Sequence, residues 1–532
     1  MEIPIIPKFL LPQQIEHFNC IREIMSKFPC AIDKSVMGTG KTYVTCALAS
    51  IFNLSLFVIC PASTIGGWKE VTTELKIPFD RIMSYESLHG SSRGPKHGWL
   101  SKDSDNNFYA TRRFEQLSTQ GILMVLDEGH RGKKVNTLTS KACSALSKCI
   151  VDQAGYSRLI VLSGTPIEEG KHAEVFLRKL GLATGHLFTN DPHNGFHLTG
   201  MKDLIKICRI FNKKATKKIC KHEDMGSAAN VRKVCMSLLE KVVFPTLSST
   251  MAPPKVESKH EKKSMFLSLD QKHEVRFKEA VNGLASTVQF DKATGTTNME
   301  ARAFGMIIPY LIEMECCKMN NLIHECRQKL SVVEGSKVVI LLNYIKCKDP
   351  EHISCSSVEE GSDQGGDLDE SQKGTPKGNH LMYLSDAFKM YNPAVIHGGV
   401  NLEKRQQSIQ AFQQDAGCRV FLATIGTGCE GINLHDTIGN EPRFMYILPN
   451  YRAGQIHQAS HRIYREGTKS EATITLVFGP SDAPEKSILS ALSRKGGVLK
   501  RITDHGKYGV LFPGEYDEEV KKGNKTTGPN DE

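Results

Sequence analysis

The sequence lacks the marks of a membrane-inserted or exported protein. Nowhere in its 532 residues does an apolar run approach the ~18 residues that a membrane-spanning helix needs. The first residues, MEIPIIPKFLLPQQ, contain prolines and an acidic residue where a signal peptide has a basic region and a smooth apolar stretch. We therefore expect a soluble, intracellular protein that is not secreted and has no membrane partner.

Cysteines at metal-binding spacing are also missing, although Cys316 and Cys317 form an adjacent doublet. None of the 16 cysteines stands in a C-x-x-C pair, and most occur singly in apolar runs, as Cys46, Cys60 and Cys208 do. Structural zinc sites and disulfide frameworks both need cysteines at short, regular spacings. The pattern favours reduced, buried thiols that act as small core residues.

The sequence shows no internal repeat and only a modest excess of basic residues. Lysine and arginine number 68 against 58 acidic residues, which gives a net charge of +10. This balance permits a polyanionic partner but does not require one. Hydrophobic residues make up 40% of the chain, which is typical of globular domains with an ample core.

Short apolar runs alternate with helical patterns in two separate parts of the chain. Such alternation is typical of βαβ units and of a doubly wound parallel sheet, so it predicts an α/β fold with two lobes. The runs are LSLFVIC (54–60), GILMVLDE (121–128), YSRLIVLSG (156–164), SKVVILLNY (336–344), NPAVIHG (392–398), CRVFLATIG (418–426), RFMYIL (443–448) and ATITLVFG (472–479).

Composition shifts indicate the domain boundaries. We predict a first lobe at 1–185, a helical and basic insertion and linker at 186–330, a second lobe at 331–480, and a C-terminal extension at 481–532 whose tail is disordered. The segment 349–380 is rich in acids, serine and glycine and poor in apolar residues, which predicts a disordered loop inserted in the second lobe.

One glycine-rich stretch has the composition of a phosphate-binding loop. Residues Gly38, Thr39, Gly40, Lys41 and Thr42 satisfy most of G-x-x-x-x-G-K-[ST], although Ser35 stands where the pattern has its first glycine. In such a loop backbone N–H groups surround phosphate oxygens, the lysine reaches the β- and γ-phosphates, and the threonine binds Mg²⁺. The following helical pattern adds its positive N-terminal end. The alternative is a glycine-rich turn without a ligand.

Two adjacent acids end the second of these apolar runs. Asp127 and Glu128 follow ILMVL directly. Phosphoryl transfer to water needs one carboxylate near Mg²⁺ and another group that orients the attacking water. An exposed turn is the alternative, but a phosphate loop earlier in the same lobe favours a site for ATP and Mg²⁺, with Thr42 and Asp127 beside the metal.

Several further segments occur in the order of a known family. Together with DEGH at 127–130, they resemble the superfamily 2 helicase-like ATPases, and most closely their Swi/Snf-type branch. The segments are LLPQQIEHFNCI (10–21), LFVICPASTIGGWKEVTTEL (56–75), SYESL (84–88), VLSGTPIEEG (161–170), VIHGGVNLEKRQQSIQAFQ (395–413), ATIGTGCEGINLHDT (423–437) and QASHRIYREGTK (458–469).

The resemblance implies two RecA-like lobes and a role for each motif residue. It implies that Gln14 reads adenine and that Gln458, Arg462 and Arg465 are catalytic residues of the second lobe. It further implies that six residues couple the ATP and nucleic-acid sites: His130, Ser163, Gly164, Thr165, Gly428 and Gly431. Nucleic-acid backbone is held, by the same resemblance, by Ser63, Thr64 and Thr424. Residues beside the arginines depart from the family pattern, namely His461, Tyr464 and Thr468.

The implied activity is a double-stranded-DNA-dependent ATPase that moves along DNA as its lobes close and open. The chain has no appended reader module, so it is similar to minimal viral ATPases such as the poxvirus nucleoside triphosphate phosphohydrolase group. A protein partner, such as an RNA polymerase or a repair factor, would then direct a monomeric motor to transcription, repair or DNA remodelling. The expected location is the nucleus or, for a viral protein, the virion or cytoplasmic factory.

Two other functions and three smaller interpretations stay open. A DEAH-type RNA helicase and a nucleic-acid-binding scaffold with a silent ATP site are the alternative functions. Trp68 either packs in the first lobe or contacts nucleic acid, and the basic run 213–222 either faces phosphates or is a solvated helix face. The segment 244–269 resembles the family's linker, in which Pro253 and Pro254 hold an extended strap.

Overall fold

A computed structural model defines the fold of most of the chain. The residues that it describes are 7–90, 94–132, 136–153, 155–183, 186–191, 195–222, 225–251, 258–287, 290–291, 296–297, 301–347, 378–428, 431–465, 467–480, 485, 492 and 495. None of the helices within these ranges is long and apolar enough to cross a membrane.

The strands and helices alternate along most of these ranges. The strands are β1 (Cys30–Asp33), β2 (Ser55–Cys60), β3 (Phe79–Ser84), β4 (Leu100–Lys102), β5 (Phe108–Ala110), β6 (Ile122–Asp127), β7 (Arg158–Leu162), β8 (Thr189–Asp191), β9 (Gly195–His197), β10 (Ser248–Ser249), β11 (His260–Phe266), β12 (Phe290–Asp291), β13 (Thr296–Thr297), β14 (Lys337–Leu342), β15 (Lys346–Cys347), β16 (Gly378–Asn379), β17 (Ala394–Ile396), β18 (Val420–Thr424), β19 (Arg443–Ile447) and β20 (Ala472–Phe478). The α-helices are α1 (Pro12–Lys27), α2 (Lys41–Ile51), α3 (Ile65–Glu74), α4 (Tyr85–His89), α5 (Arg112–Gln120), α6 (Leu138–Asp152), α7 (Ala173–Lys179), α8 (Met201–His222), α9 (Ala228–Leu238), α10 (Phe244–Leu247), α11 (Gln271–Thr287), α12 (Ala301–Cys316), α13 (Met319–Val332), α14 (His380–Ala387), α15 (Leu402–Gln414), α16 (Ile425–Gly428) and α17 (Ala453–Ser460).

The described residues up to Met251, with Lys495, form one compact unit. Its main sheet has the order β10-β1-β7-β6-β2-β3, and every neighbouring pair in it is parallel. The central strands β2, β6 and β7 are buried on both faces, as their continuous apolar sequences predict. One apolar cluster covers each face of the sheet. Because β1, β7 and β6 pair in parallel, their carboxyl ends meet at one edge of the sheet.

The described residues from Ser258 to Pro480, with Glu485 and Leu492, form a second unit. Its main sheet has the order β11-β20-β19-β14-β18-β17, again with parallel pairs throughout. All five strands predicted for this lobe are present. The two parallel sheets with their helices confirm the predicted fold class of two RecA-like α/β lobes.

The sequence analysis missed the less apolar strands. β1 has only four residues, and β10 has two, so neither gives a clear periodic signal. β11 has the sequence HEKKSMF and lies at the sheet edge, where its side chains are exposed or half-buried. Polar residues are tolerated there because an edge strand has one neighbour and one open side.

The predicted segments outside the two lobes have mixed outcomes. Helices α8–α10 lie in the first unit and α11–α13 in the second, so the segment 186–330 contributes helices to both units. The predicted linker 244–269 contains α10, β10 and β11, while Pro253 and Pro254 lie outside the described residues. Most of the predicted acidic loop 349–380 and of the extension 481–532 also lies outside them.

Helix α8 presents the basic run on an exposed surface. The helix is kinked at Asn212, where φ is −153° and ψ is 93°, and the Asn212 side-chain oxygen accepts a hydrogen bond from the Ala215 N–H at 2.9 Å. The lysines at 213, 214, 217 and 218 are exposed. Exposure is compatible with both interpretations of this run.

Two fully buried cations share one carboxylate in the second unit. Nζ of Lys337 lies 3.2 Å from Oε2 of Glu441, and Nη2 of Arg443 lies 2.9 Å from the same oxygen. The Lys337 ammonium also donates to the carbonyl oxygens of Phe412 and Asp415 at 2.8 and 2.9 Å. Burial lowers the pKa of Lys337, and the Arg443 charge acts in the same direction. Glu441 is therefore the group that offsets both charges at the start of β14 and β19.

Neutralising Glu441 should destabilise the second unit strongly. In Glu441→Gln two buried cations lose their shared counter-charge, and breaking a buried pair in this way costs about 3–5 kcal/mol. Urea unfolding followed by circular dichroism measures the change. The matched control is Glu471→Gln, which removes an exposed carboxylate from the residue just before β20 and should change the unfolding free energy by less than about 0.5 kcal/mol. Equal effects of the two substitutions would contradict the assignment.

Candidate active site

The phosphate-type loop connects β1 to α2 in the first unit. Asp33 ends β1, and its Oδ1 accepts a hydrogen bond from the Ser35 N–H at 2.8 Å. Gly40 is the residue before α2 and has a φ of 83°. A side chain at this position would be strained, and its Cβ would collide with Nε2 of Gln14. The loop therefore has the left-handed backbone conformation that brings N–H groups to the N-terminus of α2.

Gln14 contacts this loop directly. Its Nε2 donates to the Thr39 carbonyl oxygen at 3.0 Å, and its Oε1 accepts a hydrogen bond from the Leu11 N–H at 2.9 Å. The side chain is buried against the loop. The structure thus brings Gln14 to the predicted site, while its role in reading adenine stays a prediction.

Lys41 lies over its own loop. Its Nζ donates to the carbonyl oxygens of Ser35 and Val36, both at 3.1 Å. Thr42 follows in the first turn of α2, where the helix dipole favours an anion. An ammonium that donates to neutral carbonyl oxygens beside a helix N-terminus fits a triphosphate chemically. Gly38, with φ of 81°, completes the turn.

Two aromatic residues from separate motifs hold Asp127. Trp68 on α3 is 2% exposed, and its Nε1 donates to Oδ2 of Asp127 at 2.9 Å. The Tyr85 hydroxyl donates to the Asp127 backbone oxygen at 2.6 Å. This confirms the packing interpretation of Trp68 and shows why the GGWKE and SYESL segments matter here. Sequence reasoning missed both hydrogen bonds.

The acidic pair carries unusual backbone geometry and charge. Glu128 has a φ of 52°, which is rare for a residue with a side chain and is typical of functional turns. Burial raises the pKa of Asp127 to about 6, and the Glu128 charge adds to this, whereas the Trp68 hydrogen bond and the Lys41 charge oppose it. Lys41 therefore interacts electrostatically with the Asp127 carboxylate.

The predicted coupling residues of the first unit form one connected network. His130 Nδ1 lies 3.3 Å from Oε2 of Glu128 and 3.0 Å from Oγ of Ser163. The Ser163 N–H donates to the Asp33 carbonyl oxygen at 3.0 Å, and the Thr165 N–H donates to Ser163 Oγ at 3.3 Å. Gly164 lies against the backbone of Ser35 and Val36. The DEGH turn is thus linked to the phosphate-type loop through this block.

Two side chains that contact the DEGH turn and Asp33 could not be predicted from the sequence. Lys179 on α7 is 1% exposed, and its Nζ donates to the Gly129 carbonyl oxygen at 3.0 Å and to that of Arg131. His17 Nε2 lies 3.1 Å from Asp33 Oδ2, and its Nδ1 lies 2.9 Å from Ser249 Oγ. Their partners are distant in sequence, so no local pattern could reveal them.

The hydroxyl residues predicted to hold nucleic acid make no hydrogen bond, or bond only to residues near them in sequence, in the part of the chain that the structure describes. Ser63 Oγ is buried and makes no hydrogen bond within the described part of the chain, and Thr64 Oγ1 donates to the Pro61 carbonyl oxygen at 3.0 Å. In the second unit Thr424 Oγ1 lies 2.8 Å from Thr427 Oγ1, and Thr424 lines a cavity of about 530 Å³ with Arg452. Nucleic-acid contact by these residues stays a prediction.

The two predicted arginines of the second unit meet at one loop. Arg462 Nη1 donates to the Ile432 carbonyl oxygen at 3.3 Å. Arg465 Nη2 donates to the His461 carbonyl oxygen at 3.1 Å, and its Nη1 contacts the Asn433 side chain. Burial lowers the pKa of Arg465 to about 9, and the Arg462 charge adds to this. The loop that follows Gly431 therefore holds both guanidinium groups.

The remaining predicted residues of this unit lie close to that loop in sequence or fold. Gln458 is buried on α17, the helix that precedes the arginines. Gly428 is buried at the end of α16 against Leu341, and Gly431 follows with φ of 66°. His461 stays neutral because burial, assisted by the Lys262 charge, lowers its pKa to about 3. This departure from the family pattern thus adds no charge beside the arginines.

Comparison with known proteins finds a viral relative and solved structures of ATPase cores. No protein-family model matches the chain. A protein of Acanthamoeba polyphaga mimivirus, named "Putative ATP-dependent RNA helicase", is 21% identical over 511 residues, which cover 93% of this chain and 84% of the relative. The Sulfolobus solfataricus SWI2/SNF2 ATPase core in complex with dsDNA is 17% identical, with 95% of each chain covered and a TM-score of 0.31.

The second structural neighbour covers less of the chain. The C-terminal part of the Fun30 ATPase domain is 11% identical and covers 46% of this chain and 99% of its own length, with a TM-score of 0.29. The mimivirus relative agrees with the resemblance to helicase-like ATPases that the motifs indicate. The two TM-scores are too low to add to it.

One buried histidine beside this site predicts a pH-dependent stability. His435 is 8% exposed, and burial lowers its pKa to about 4, with the Arg465 charge acting in the same direction. The unfolded chain takes up this proton below about pH 6.5, whereas the folded chain does so only near pH 4. Stability should therefore fall, as the pH falls through this window, by up to about 1.4 kcal/mol per pH unit for this group.

His435→Gln should reduce that slope. Urea unfolding from about pH 7 to about pH 4.5 measures it, and the variant should lose less stability on acidification than the parent chain. His324→Gln, which removes an exposed imidazole on α13, is the control and should leave the slope unchanged. An identical slope in the parent chain and in His435→Gln would show that the buried imidazole does not control acid stability.

Proposed function

We propose that this protein is a helicase-like ATPase of the Swi/Snf type, which hydrolyses ATP and moves along double-stranded DNA. The observation that carries the proposal is the convergence, at one edge of a parallel sheet, of the Gly38–Thr42 loop, Asp127, Glu128 and the Ser163–Thr165 block. Chain-distant motifs meet there in the arrangement that phosphoryl transfer needs. The ordered motifs of the sequence and the mimivirus relative named as an ATP-dependent helicase support it.

The residues of the first unit divide the chemistry between them. The loop N–H groups and Lys41 bind the phosphates, and Gln14 supports the loop from the side of α1. Thr42 and Asp127 would hold Mg²⁺, which when bound neutralises charge on the phosphates. Among the described residues no cluster of three or more His, Cys, Asp or Glu side chains could hold a metal alone. A site made of Thr42 and Asp127 suits Mg²⁺, which commonly binds through one or two protein oxygens plus substrate phosphates.

Glu128 is the residue that we assign to the attacking water. Its carboxylate is 15% exposed and lies beside His130, which also contacts Ser163. A movement of the Ser163 side chain can therefore change the position of the Glu128 carboxylate through the His130 imidazole. This path is the physical basis on which we propose that the phosphate site and the nucleic-acid site are coupled.

The arginines of the second unit complete the proposed site. Arg462 and Arg465 both donate hydrogen bonds to carbonyl oxygens, and Arg465 also contacts the side-chain amide of Asn433. Lobe closure would bring them to the γ-phosphate, where a guanidinium stabilises developing charge. Hydrolysis would then depend on closure, and nucleic acid bound to Ser63, Thr64 and Thr424 would shift with each cycle.

A DEAH-type RNA helicase is the second candidate. The name of the mimivirus relative favours it, whereas the GGWKE and SYESL segments favour the Swi/Snf type. We propose in addition that a protein partner, such as an RNA polymerase or a repair factor, directs the ATPase to transcription or repair.

ATP turnover with different nucleic acids tests the proposal. The purified chain is assayed alone and with double-stranded DNA, single-stranded DNA or RNA. We expect strong stimulation by double-stranded DNA, and loss of turnover by more than about a hundredfold in both Lys41→Ala and Glu128→Gln. Stimulation by RNA alone, with strand displacement, would favour the helicase. Retention of turnover in Glu128→Gln would refute the assigned site.

Trp68→Phe should lower ATP turnover through Asp127 alone. The substitution keeps an aromatic ring in the core but removes the N–H that fixes the Asp127 carboxylate. Hydrogen bonds to charged groups contribute about 1.5–3 kcal/mol, so we expect kcat to fall about tenfold and the Mg²⁺ concentration for half-maximal activity to rise.

Trp99→Phe is the matched control. Trp99 packs on Phe57 and Arg113 and does not touch Asp127, so kcat and the Mg²⁺ requirement should both be unchanged. If Trp68→Phe lowers thermal stability without altering the Mg²⁺ requirement, the indole serves only in packing.

A further inference from the structure

A second cavity in the first unit is lined by basic and hydroxyl side chains. It has a volume of about 480 Å³ and lies between the β5 strand and helices α6 and α7. None of the residues assigned above to ATP or nucleic acid lines it. Its lining residues include Lys141, Ser144, Lys148 and Arg178 on one side and Tyr109 on the other. The cavity is therefore separate from the proposed ATPase site.

Arg178 is a buried cation with two unsatisfied N–H groups. It is 8% exposed and lines the cavity, yet its Nε and Nη1 are buried and make no hydrogen bond within the ranges that the structure describes. Glu174 lies one turn earlier on α7, but its Oε1 accepts the Leu187 N–H at 3.2 Å. The Glu174 charge acts on Arg178 to raise its pKa, against burial, which lowers it. The two buried N–H groups that make no hydrogen bond still favour an acceptor with several oxygens in the cavity.

The neighbouring side chains add donors for the same anion. Ser144 is 8% exposed, and its Oγ also lacks a hydrogen-bond partner among the described residues. Lys141 Nζ contacts only a neutral oxygen in this region, Asn107 Oδ1 at 3.3 Å. Burial is the main cause that lowers the pKa of His186; the Arg178 and Lys141 charges act in the same direction, and the Glu174 charge opposes them.

The acidic groups of the cavity leave these donors available. Lys148 is paired with Asp152 at 2.6 Å, and we assign it no direct role. Glu115 is the carboxylate in the lining, and it is exposed. The buried end of the cavity thus offers a guanidinium, an ammonium and a hydroxyl.

We propose that this cavity binds a small phosphate-containing ligand. A guanidinium fork, an ammonium and a hydroxyl match an oxyanion with several acceptor oxygens. The volume exceeds that of a phosphate group and lies within the range of small-ligand sites. The exposed ring of Tyr109 lies in the same lining and suits a flat ring attached to the phosphate. Free phosphate and a mononucleotide share this chemistry.

Binding measured by ³¹P NMR line broadening tests the proposal. Inorganic phosphate and AMP are titrated into the full chain and into Lys41→Ala, which weakens phosphate binding at the ATP-type loop. We expect both forms to bind, and we expect Arg178→Met in the Lys41→Ala background to weaken binding at least about tenfold. Tighter binding of AMP than of phosphate would identify a nucleotide as the ligand, and the reverse would identify free phosphate.

Two further variants keep the test decisive. Ser144→Ala removes only a hydroxyl and should weaken binding about threefold or more even if Arg178→Met folds poorly. Arg209→Met, which removes an exposed arginine on α8, should leave binding unchanged. Absence of binding in Lys41→Ala, or equal binding in Lys41→Ala with and without Arg178→Met, would overturn the proposal. Neither result depends on ATP turnover, so the proposed ATPase can fail or hold independently.

Discussion

Parallel pairing of β1, β7 and β6 is the constraint on which the candidate site depends. Because parallel strands end at the same edge of a sheet, this pairing brings together three loops from distant parts of the sequence. One loop carries Lys41, one carries Glu128, and one carries Ser163. The hydrogen bond from the Ser163 N–H to the Asp33 carbonyl oxygen continues the strand pairing into the site itself. The positions of the proposed catalytic residues are therefore set by the pairing of the strands that precede them.

The second unit uses the same architecture for a different purpose. Its loops hold two guanidinium groups through the carbonyl oxygens of Ile432 and His461. Burial keeps His461 and His435 neutral. They therefore add no further positive charge that would repel the arginines. The half-buried Glu441, by contrast, offsets two buried cations at the opposite end of β14 and β19.

A feature could be predicted from the sequence when its residues lie close together in the chain, and could not when they lie far apart. The GTGKT loop and the DE pair could be found because each is contiguous and adjoins a strongly apolar strand. β11 could not be found, because an edge strand tolerates polar residues and loses the apolar signal. The hydrogen bond from Trp68 to Asp127 joins residues 59 positions apart, and no local pattern encodes it. The two N–H groups of Arg178 that make no hydrogen bond are likewise visible only once α6, α7 and β5 are packed together.

The scarcity of tryptophan gives the chain a built-in optical probe. Only two tryptophans occur in 532 residues. The Trp99 ring packs beneath the Arg113 guanidinium at 4.2 Å, whereas the Trp68 indole N–H bonds the carboxylate that we assign to the metal. Indole emission depends on the charge and polarity near the ring. Any event that changes the electrostatics of Asp127 is therefore reported by the protein's own fluorescence, without a label, and from one known position.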